Sequence, residues 1–347
     1  MPLLIEQIPK FSLNEAVGLA RKFYGIDASA TELPSYGDQN FLLSDSGGIR
    51  FVLKIANSSS QRDLLEAQNA AMAHIGRADS TLRCPEVLAT LAGDKLTMVP
   101  GAGSGEYFVR MLTYLPGVPM GELQSHSQGL LRSLGSFFGQ LDGILEGFSH
   151  PGTVRDLEWD LRHAATTVRT YLPHVAEFAA RSLVETYLSR FEETVVPFLP
   201  DLRTSVIHND GNDYNVLAEE TEPHNHVVTG VIDFGDMVET CMVFELAVAA
   251  AYALLETPDP ITAATHVIGG YHSANPLTEL EQSVLFDLIM MRLCVSVTIS
   301  TYQIKQNSAN EYLVISQRPA WNALNQLATV DPSEARRAIH ATCGSSK

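Results

Sequence analysis

The chain has 347 residues, 45% of them apolar, with a formal net charge of −17 and a pI near 5.0. A surface this acidic repels nucleic acid and anionic membrane but tolerates a cationic small molecule. The length exceeds one compact core, so two lobes are expected. Cys84, Cys241, Cys294 and Cys343 show no paired spacing and read as reduced thiols of a cytoplasmic protein.

Ser12 and Glu15 form a capping-box pattern that opens a helix, with apolar residues at helical spacing to Phe23 and a stop at Gly25. Two strand patterns follow, residues 33–43 and 49–55, joined by the Gly47-Gly48 turn. The second carries Lys54 between apolar neighbours, and a lysine so placed needs an anion unless it snorkels at a sheet edge. The next helix, residues 61–72, is expected to turn Glu66 toward the sheet as that anion. The glycine run at residues 101–105 has no helix after it, so it reads as a hairpin connection rather than a phosphate loop. The strand from Tyr107 ends at Pro116-Gly117, which places the lobe boundary near residues 112–116 and divides the chain into 1–113 and 114–347.

Beyond that boundary, residues 122–146 show an apolar face at helical spacing, and a more polar helical pair spans residues 155–171 and 175–195. Three short strands are expected at residues 206–207, 215–217 and 231–232, with polar residues clustered at their ends. His224 and His226 sit at a hairpin tip with no further ligand nearby, so they do not read as a metal site. Helical patterns then run to the end. The most apolar of them, residues 285–300, is interrupted by Asp287 and Arg292 and reads as a buried helix rather than a membrane span. Strands in the first third and helices in the rest give an α+β, two-lobed arrangement, with a small β-rich N-lobe and a larger, mostly helical C-lobe.

The polar clusters carry the chemistry. His208-x-Asp210-x-x-x-x-Asn215 followed by Asp233-Phe234-Gly235 is the catalytic-loop and metal-loop pair of kinases. Phosphoryl transfer to an alcohol needs a carboxylate for the hydroxyl proton and hard oxygen ligands for Mg²⁺ across the nucleotide phosphates. Asp-Phe-Gly alone is a weak signal, but both motifs in order, a short hairpin apart, are strong; the competing reading is a turn rich in Asn and Asp. His208 is expected to brace the loop. In this frame Lys54 is a phosphate-binding lysine, and the segment with Leu112 and Tyr114 is a hinge whose backbone meets a purine edge. Ser35-Tyr36-Gly37-Asp38 replaces the usual glycine-rich loop, with Tyr36 and Gly37 covering the phosphates.

The segments 33–41, 52–55, 66–69, 110–117, 208–215, 233–237 and 244–247 together resemble the aminoglycoside phosphotransferase-type small-molecule kinases. Among these the chain is similar to the hydroxylysine kinase family. The resemblance implies a protein-kinase-like fold, with Asp210 as catalytic base, Asn215 and Asp233 as Mg²⁺ ligands, and Lys54 with Glu66 as the phosphate-positioning pair. It implies ATP or GTP as donor; the hydroxylysine branch is associated with GTP. The chain departs from the pattern at Gly37, where an acidic residue is usual, and at Asn209, where glycine is usual.

The expected substrate is a small hydroxylated amine or amino acid. Homoserine, choline, ethanolamine or an aminoglycoside are the alternatives, and a non-catalytic nucleotide-binding module is the alternative outside enzymes. An ammonium needs a carboxylate or an aromatic face, which Asp236, Glu239, Trp159 and Asp160 could supply. Arg292 could receive a carboxylate. For Trp159 and Arg292, packing and a structural salt bridge are the competing roles.

Overall fold

The computed structural model describes residues 8–35, 37–58, 60–79, 81–101, 105–223, 225–306 and 317–344. The chain forms two compact units, one of Met1–Pro116 with His150–Thr153, the other of Gly117–Ser149 with Val154–Lys347. The division thus falls three residues beyond the expected one, and the excursion at residues 150–153 has no counterpart in the sequence reading.

In the first unit α1 (Leu13–Leu19) starts at Ser12, and both halves of its capping box form. Then come β1 (Ala28–Leu33), β2 (Gln39–Asp45), β3 (Arg50–Ile55), α2 (Arg62–Ala78), β4 (Val87–Leu88), β5 (Thr97–Pro100) and β6 (Glu106–Thr113). The strands make an antiparallel sheet in the order β1-β2-β3-β6-β4, with β5 also on β6. The two-residue period sends Phe41, Leu43, Leu53, Ile55, Val109 and Met111 to one face, where they bury Phe11, Ala16 and Ala20. Lys54 lies opposite Asn40 and Arg110 and so belongs to the other face. The excursion at residues 150–153 packs on α2: a Cβ on Gly152 would come within 2.1 Å of the Asp63 carbonyl oxygen, so only glycine fits there.

The second unit contains β7 (Val118–Pro119), α3 (Gln128–Leu145), α4 (Ala164–Tyr171), α5 (Phe178–Thr194), β8 (Thr204–Ile207), β9 (Val216–Glu222), β10 (Asn225–Val231) and β11 (Val238–Cys241). It continues with α6 (Val243–Ala253), α7 (Pro260–Ala274), α8 (Glu279–Gln306), α9 (Gln317–Leu327) and α10 (Pro332–Gly344). Two small antiparallel sheets, β10-β9-β7 and β11-β8, sit among the helices. The helix expected from residue 155 begins only at Ala164, because Asp160 caps a separate 3₁₀ turn at Leu161–His163. Backbone contact joins α3 to α7: a Cβ on Gly135 would lie 1.8 Å from the Val267 carbonyl oxygen.

α8 is long and apolar enough to cross a membrane, yet its most apolar window is 89% buried inside the protein. Its buried charged residues have protein partners. Asp287 meets Arg190 and Arg336, and Arg292 donates to the Trp159 carbonyl. It is the core helix of the second unit.

Candidate active site

The pairing of β8 with β11 and of β9 with β10 brings two loops together, residues 208–215 and 232–237. Two hydrogen bonds lock them. The Ile232 N–H donates to the Asn215 carbonyl at 2.9 Å, and His208 Nε2 lies 3.0 Å from the Ile232 carbonyl. His208 Nδ1 accepts the Asp210 N–H at 3.3 Å, so Nε2 carries the proton. Burial pushes the His208 imidazole down to about 4, against the pull of Asp233. A ring that stays neutral at physiological pH braces the loop and does not exchange protons.

Each loop turns at a left-handed residue that is not glycine, Asn209 (φ 64°) and Asp233 (φ 60°), both types that tolerate this region. The Asn209 N–H donates to Glu245 Oε2 at 2.9 Å, which anchors the turn to α6. Burial pushes Glu245 up to about 7, offset in part by the N–H groups of Asn209 and His208. Asp233 Oδ1 accepts the Gly235 N–H at 3.1 Å and caps its own turn.

The Asp210 carboxylate is held at both oxygens, Oδ1 by Asn212 Nδ2 at 2.9 Å and Oδ2 by Asn215 Nδ2 at 2.6 Å. Arg292 Nη2 stands 3.9 Å from Oδ1. Burial and then the Asp236 charge push the Asp210 carboxyl well up, while Arg292 and Asn212 pull it down. An oriented carboxylate with raised basicity suits acceptance of a hydroxyl proton. The donor set also fits a hard cation. The Asn215 side-chain amide donates to Asp210, its amide oxygen accepts no hydrogen bond among the described residues, and Asp233 adds an exposed carboxylate. The mutual repulsion of Asp210, Asp233 and Asp236 is what a divalent cation would relieve.

The expected acceptor residues fall into different places. Asp236 is raised first by burial, with Arg155 and then Arg292 pulling it back. Trp159 is half-buried beside Arg292, whose guanidinium lies 4.8 Å from the indole and 5.5 Å from the Tyr252 ring. Asp160 is buried, and its carboxylate accepts the Arg162 N–H at 2.9 Å and the Thr240 hydroxyl at 2.8 Å, so it caps and braces the chain. Glu239 is exposed on β11, opposite Val206. Arg155 and Tyr252 escaped the sequence reading because nothing local marks them; tertiary packing alone brings them here.

In the first unit Lys54 is buried at 8% exposure. The expected Lys54–Glu66 pair is not what α2 provides. Glu66 pairs with Arg62 at 2.9 Å on the solvent side, while Gln68 and Asn69 face the sheet and accept from Arg110. The helical period explains this, since the buried positions 65, 67, 68, 69, 71, 72 and 75 all fall on one side of the helix and leave 66 on the other. Tyr36 lies outside the described residues. The Gly37 carbonyl accepts from Asn57 Nδ2 at 3.2 Å. The backbone of Leu112 is in register with β3 on one side and β4 on the other. The N–H groups of Thr113 and Tyr114 donate to Glu86 and Arg50, so among the described residues the first N–H past β6 with no partner is that of Leu115. The Tyr114 ring carries the Arg50 guanidinium at 3.9 Å.

A profile of the phosphotransferase enzyme family matches residues 29–280. The chain belongs to that family. Hydroxylysine kinase of Danio rerio is 31% identical over 344 residues, covering 96% of both chains. Hydroxylysine kinase of Mus musculus is 32% identical, covering 92% of this chain and 90% of that one. Among solved structures, an amicoumacin kinase in complex with AMP-PNP and Ca²⁺ shares the fold at a TM-score of 0.70 and 13% identity, over 93% of this chain and 97% of that one. A microcompartment-associated aminopropanol kinase does so at 0.67 and 18% identity, over 96% and 95%. This phosphotransferase is therefore a small-molecule kinase that acts on a hydroxyl group, with the α+β, protein-kinase-like fold expected from its sequence.

Proposed function

We propose that the enzyme transfers the γ-phosphoryl group of ATP or GTP to the side-chain hydroxyl of a hydroxylysine-like amino acid, with Asp210 accepting the hydroxyl proton. The observation that carries this reading is the Asp210 carboxylate, held at both oxygens by Asn212 and Asn215 in the loop that also supplies the metal-ligand candidate. The acceptor class rests on relatives named hydroxylysine kinase that match nearly end to end.

Asn215 and Asp233 are the residues that would hold Mg²⁺, which when bound neutralises charge on the donor phosphates. His208 and Glu245 keep the base loop in place. In the first unit Lys54 is the candidate phosphate ligand, the Leu115 N–H the candidate partner of a purine edge, and Gly37 part of the candidate phosphate-covering loop. Glu66, on the solvent side of α2, supports α2 through Arg62.

The test is a coupled assay of nucleoside diphosphate release with Mg²⁺ and either ATP or GTP, against hydroxylysine, homoserine, ethanolamine, choline and an aminoglycoside. Hydroxylysine should give the highest kcat/KM, with a phosphorylated product seen by mass spectrometry. Turnover confined to choline or ethanolamine would replace the amino-acid acceptor by an amino alcohol. Nucleotide binding with no phosphorylated product from any acceptor would make the protein a binding module.

A further inference from the structure

Two guanidiniums act electrostatically on Asp236. Arg292 is enclosed: its side chain is 2% exposed, its Nη1 donates to the Trp159 carbonyl at 2.9 Å, and the Trp159 and Tyr252 rings flank it. Arg155 is held differently. Its Nη2 donates to the Gly235 carbonyl at 2.7 Å, and its Nε is buried with no hydrogen-bond partner. The residue as a whole remains partly exposed.

This arrangement decides which charge is welcome. A carboxylate would meet two guanidiniums, each with a buried Nε that has no hydrogen-bond partner, and of the two only Arg155 is partly exposed. Guanidinium presents a planar fork that matches a carboxylate at two points. A buried donor left unpaired is unfavourable until a ligand supplies the acceptor.

We propose that Arg155 receives the carboxylate of an amino-acid acceptor, while Arg292 is a positioning residue that fixes Asp210 and Trp159. The inference rests on the acceptor reading above and sharpens it: the enzyme selects a hydroxylated amino acid over the corresponding hydroxylated amine that lacks the carboxylate.

The experiment compares 5-hydroxylysine with its decarboxylated counterpart, a hydroxylated diamine, on the full chain with Mg²⁺ and each nucleotide. The wild type should favour the amino acid in kcat/KM by about ten-fold or more, as expected for a charge-assisted pair. Arg155→Met should lower kcat/KM for the amino acid by about ten- to a hundred-fold, mostly through KM, and bring the preference close to unity. Arg155→Lys, which keeps a donor for the Gly235 carbonyl, should fall between and guards against simple misfolding. Nucleotide KM, measured alongside, should move far less than acceptor KM.

Equal kcat/KM for both compounds in the wild type overturns the inference and leaves the kinase reading intact. So does an Arg155→Met enzyme that loses both compounds in equal proportion, since Arg155 would then only secure the Gly235 turn. A wild type that phosphorylates neither compound overturns the inference together with the acceptor reading.

Discussion

In the first unit, residues 37–39 give their polar groups to the surrounding chain. Gln39 accepts the Phe11 N–H at 2.7 Å and donates to the Phe11 carbonyl and to Glu32, Asp38 accepts the Asn57 N–H, and Asn57 donates back to Gly37. In the second unit the loops and their supports behave differently. Asn209, Asp213, Glu245, Arg155 and Arg292 each keep a buried polar side-chain atom without a hydrogen-bond partner. Native interiors pair such groups, so the unpaired atoms of Asn209, next to Asp210 in the chain, and of Arg292, 3.9 Å from its carboxylate, are places where a ligand atom can supply the partner. The first loop is a fastening; the second region keeps polar atoms that a ligand can pair.

The sharpest way to break that contrast is Asp210→Asn. The amide keeps the size of the side chain but cannot take the hydroxyl proton, so kcat should fall about 10²–10⁴-fold with nucleotide affinity retained. Single-turnover phosphate transfer measures it, and a variant as fast as wild type would remove Asp210 from the chemistry. Asp233→Ala comes next. It should raise the Mg²⁺ concentration for half-maximal turnover more than Asn215→Ala does, because a carboxylate contributes charge as well as a ligand atom. A Mg²⁺ titration in which the Asn215 variant is the worse of the two would reverse the assignment.

Gln39→Leu tests the other side. It removes three hydrogen bonds of a side chain that is 7% exposed and strands both polar groups of Phe11. The expected cost is about 2–3 kcal/mol of stability, with kcat per folded molecule little changed. Urea denaturation read beside activity decides it. A large fall in kcat with stability intact would mean that this loop, too, belongs to the site.

What was legible in the sequence follows from how local each feature is. The run from His208 to Asp236 is close to contiguous, so its spacing alone marks a candidate base and two candidate oxygen ligands, and the fold brings their two loops together. The capping box at Ser12 and the two-residue period of the first sheet are equally local. Glu66 was misplaced because its partner depends on helix phase: one step of about 100° separates it from the buried stripe. Arg155 could not be found at all, since it meets Gly235 across 80 residues of sequence. Glu245 is similar, an acidic residue in an apolar helix whose purpose appears only when Asn209 lies against it.

Glu245 supplies the last and smallest test. Its ordinary value is 4.5, and burial raises it to about 7 in the folded protein. The folded state therefore holds this proton more tightly than the unfolded state does. Below about pH 4.5 both states are protonated and the group contributes nothing to the pH dependence. Between about 4.5 and 7 the unfolded chain is ionised while the folded one is not, so stability falls as pH rises, and above that range the loss is complete. The ceiling is about 3 kcal/mol, and the neighbouring Asp142 shares the titration, so a loss of about 1–2 kcal/mol is expected. Glu245→Gln keeps an oxygen for the Asn209 N–H and removes the titration. Wild type should lose stability relative to Glu245→Gln between pH 5 and pH 8 in urea denaturation, while kcat at pH 8 stays close to that of wild type. Parallel stability profiles for the two proteins would show that Glu245 does not carry this proton. A kcat that collapses in Glu245→Gln would show that its charge, and not only its hydrogen bond, holds the Asn209 turn.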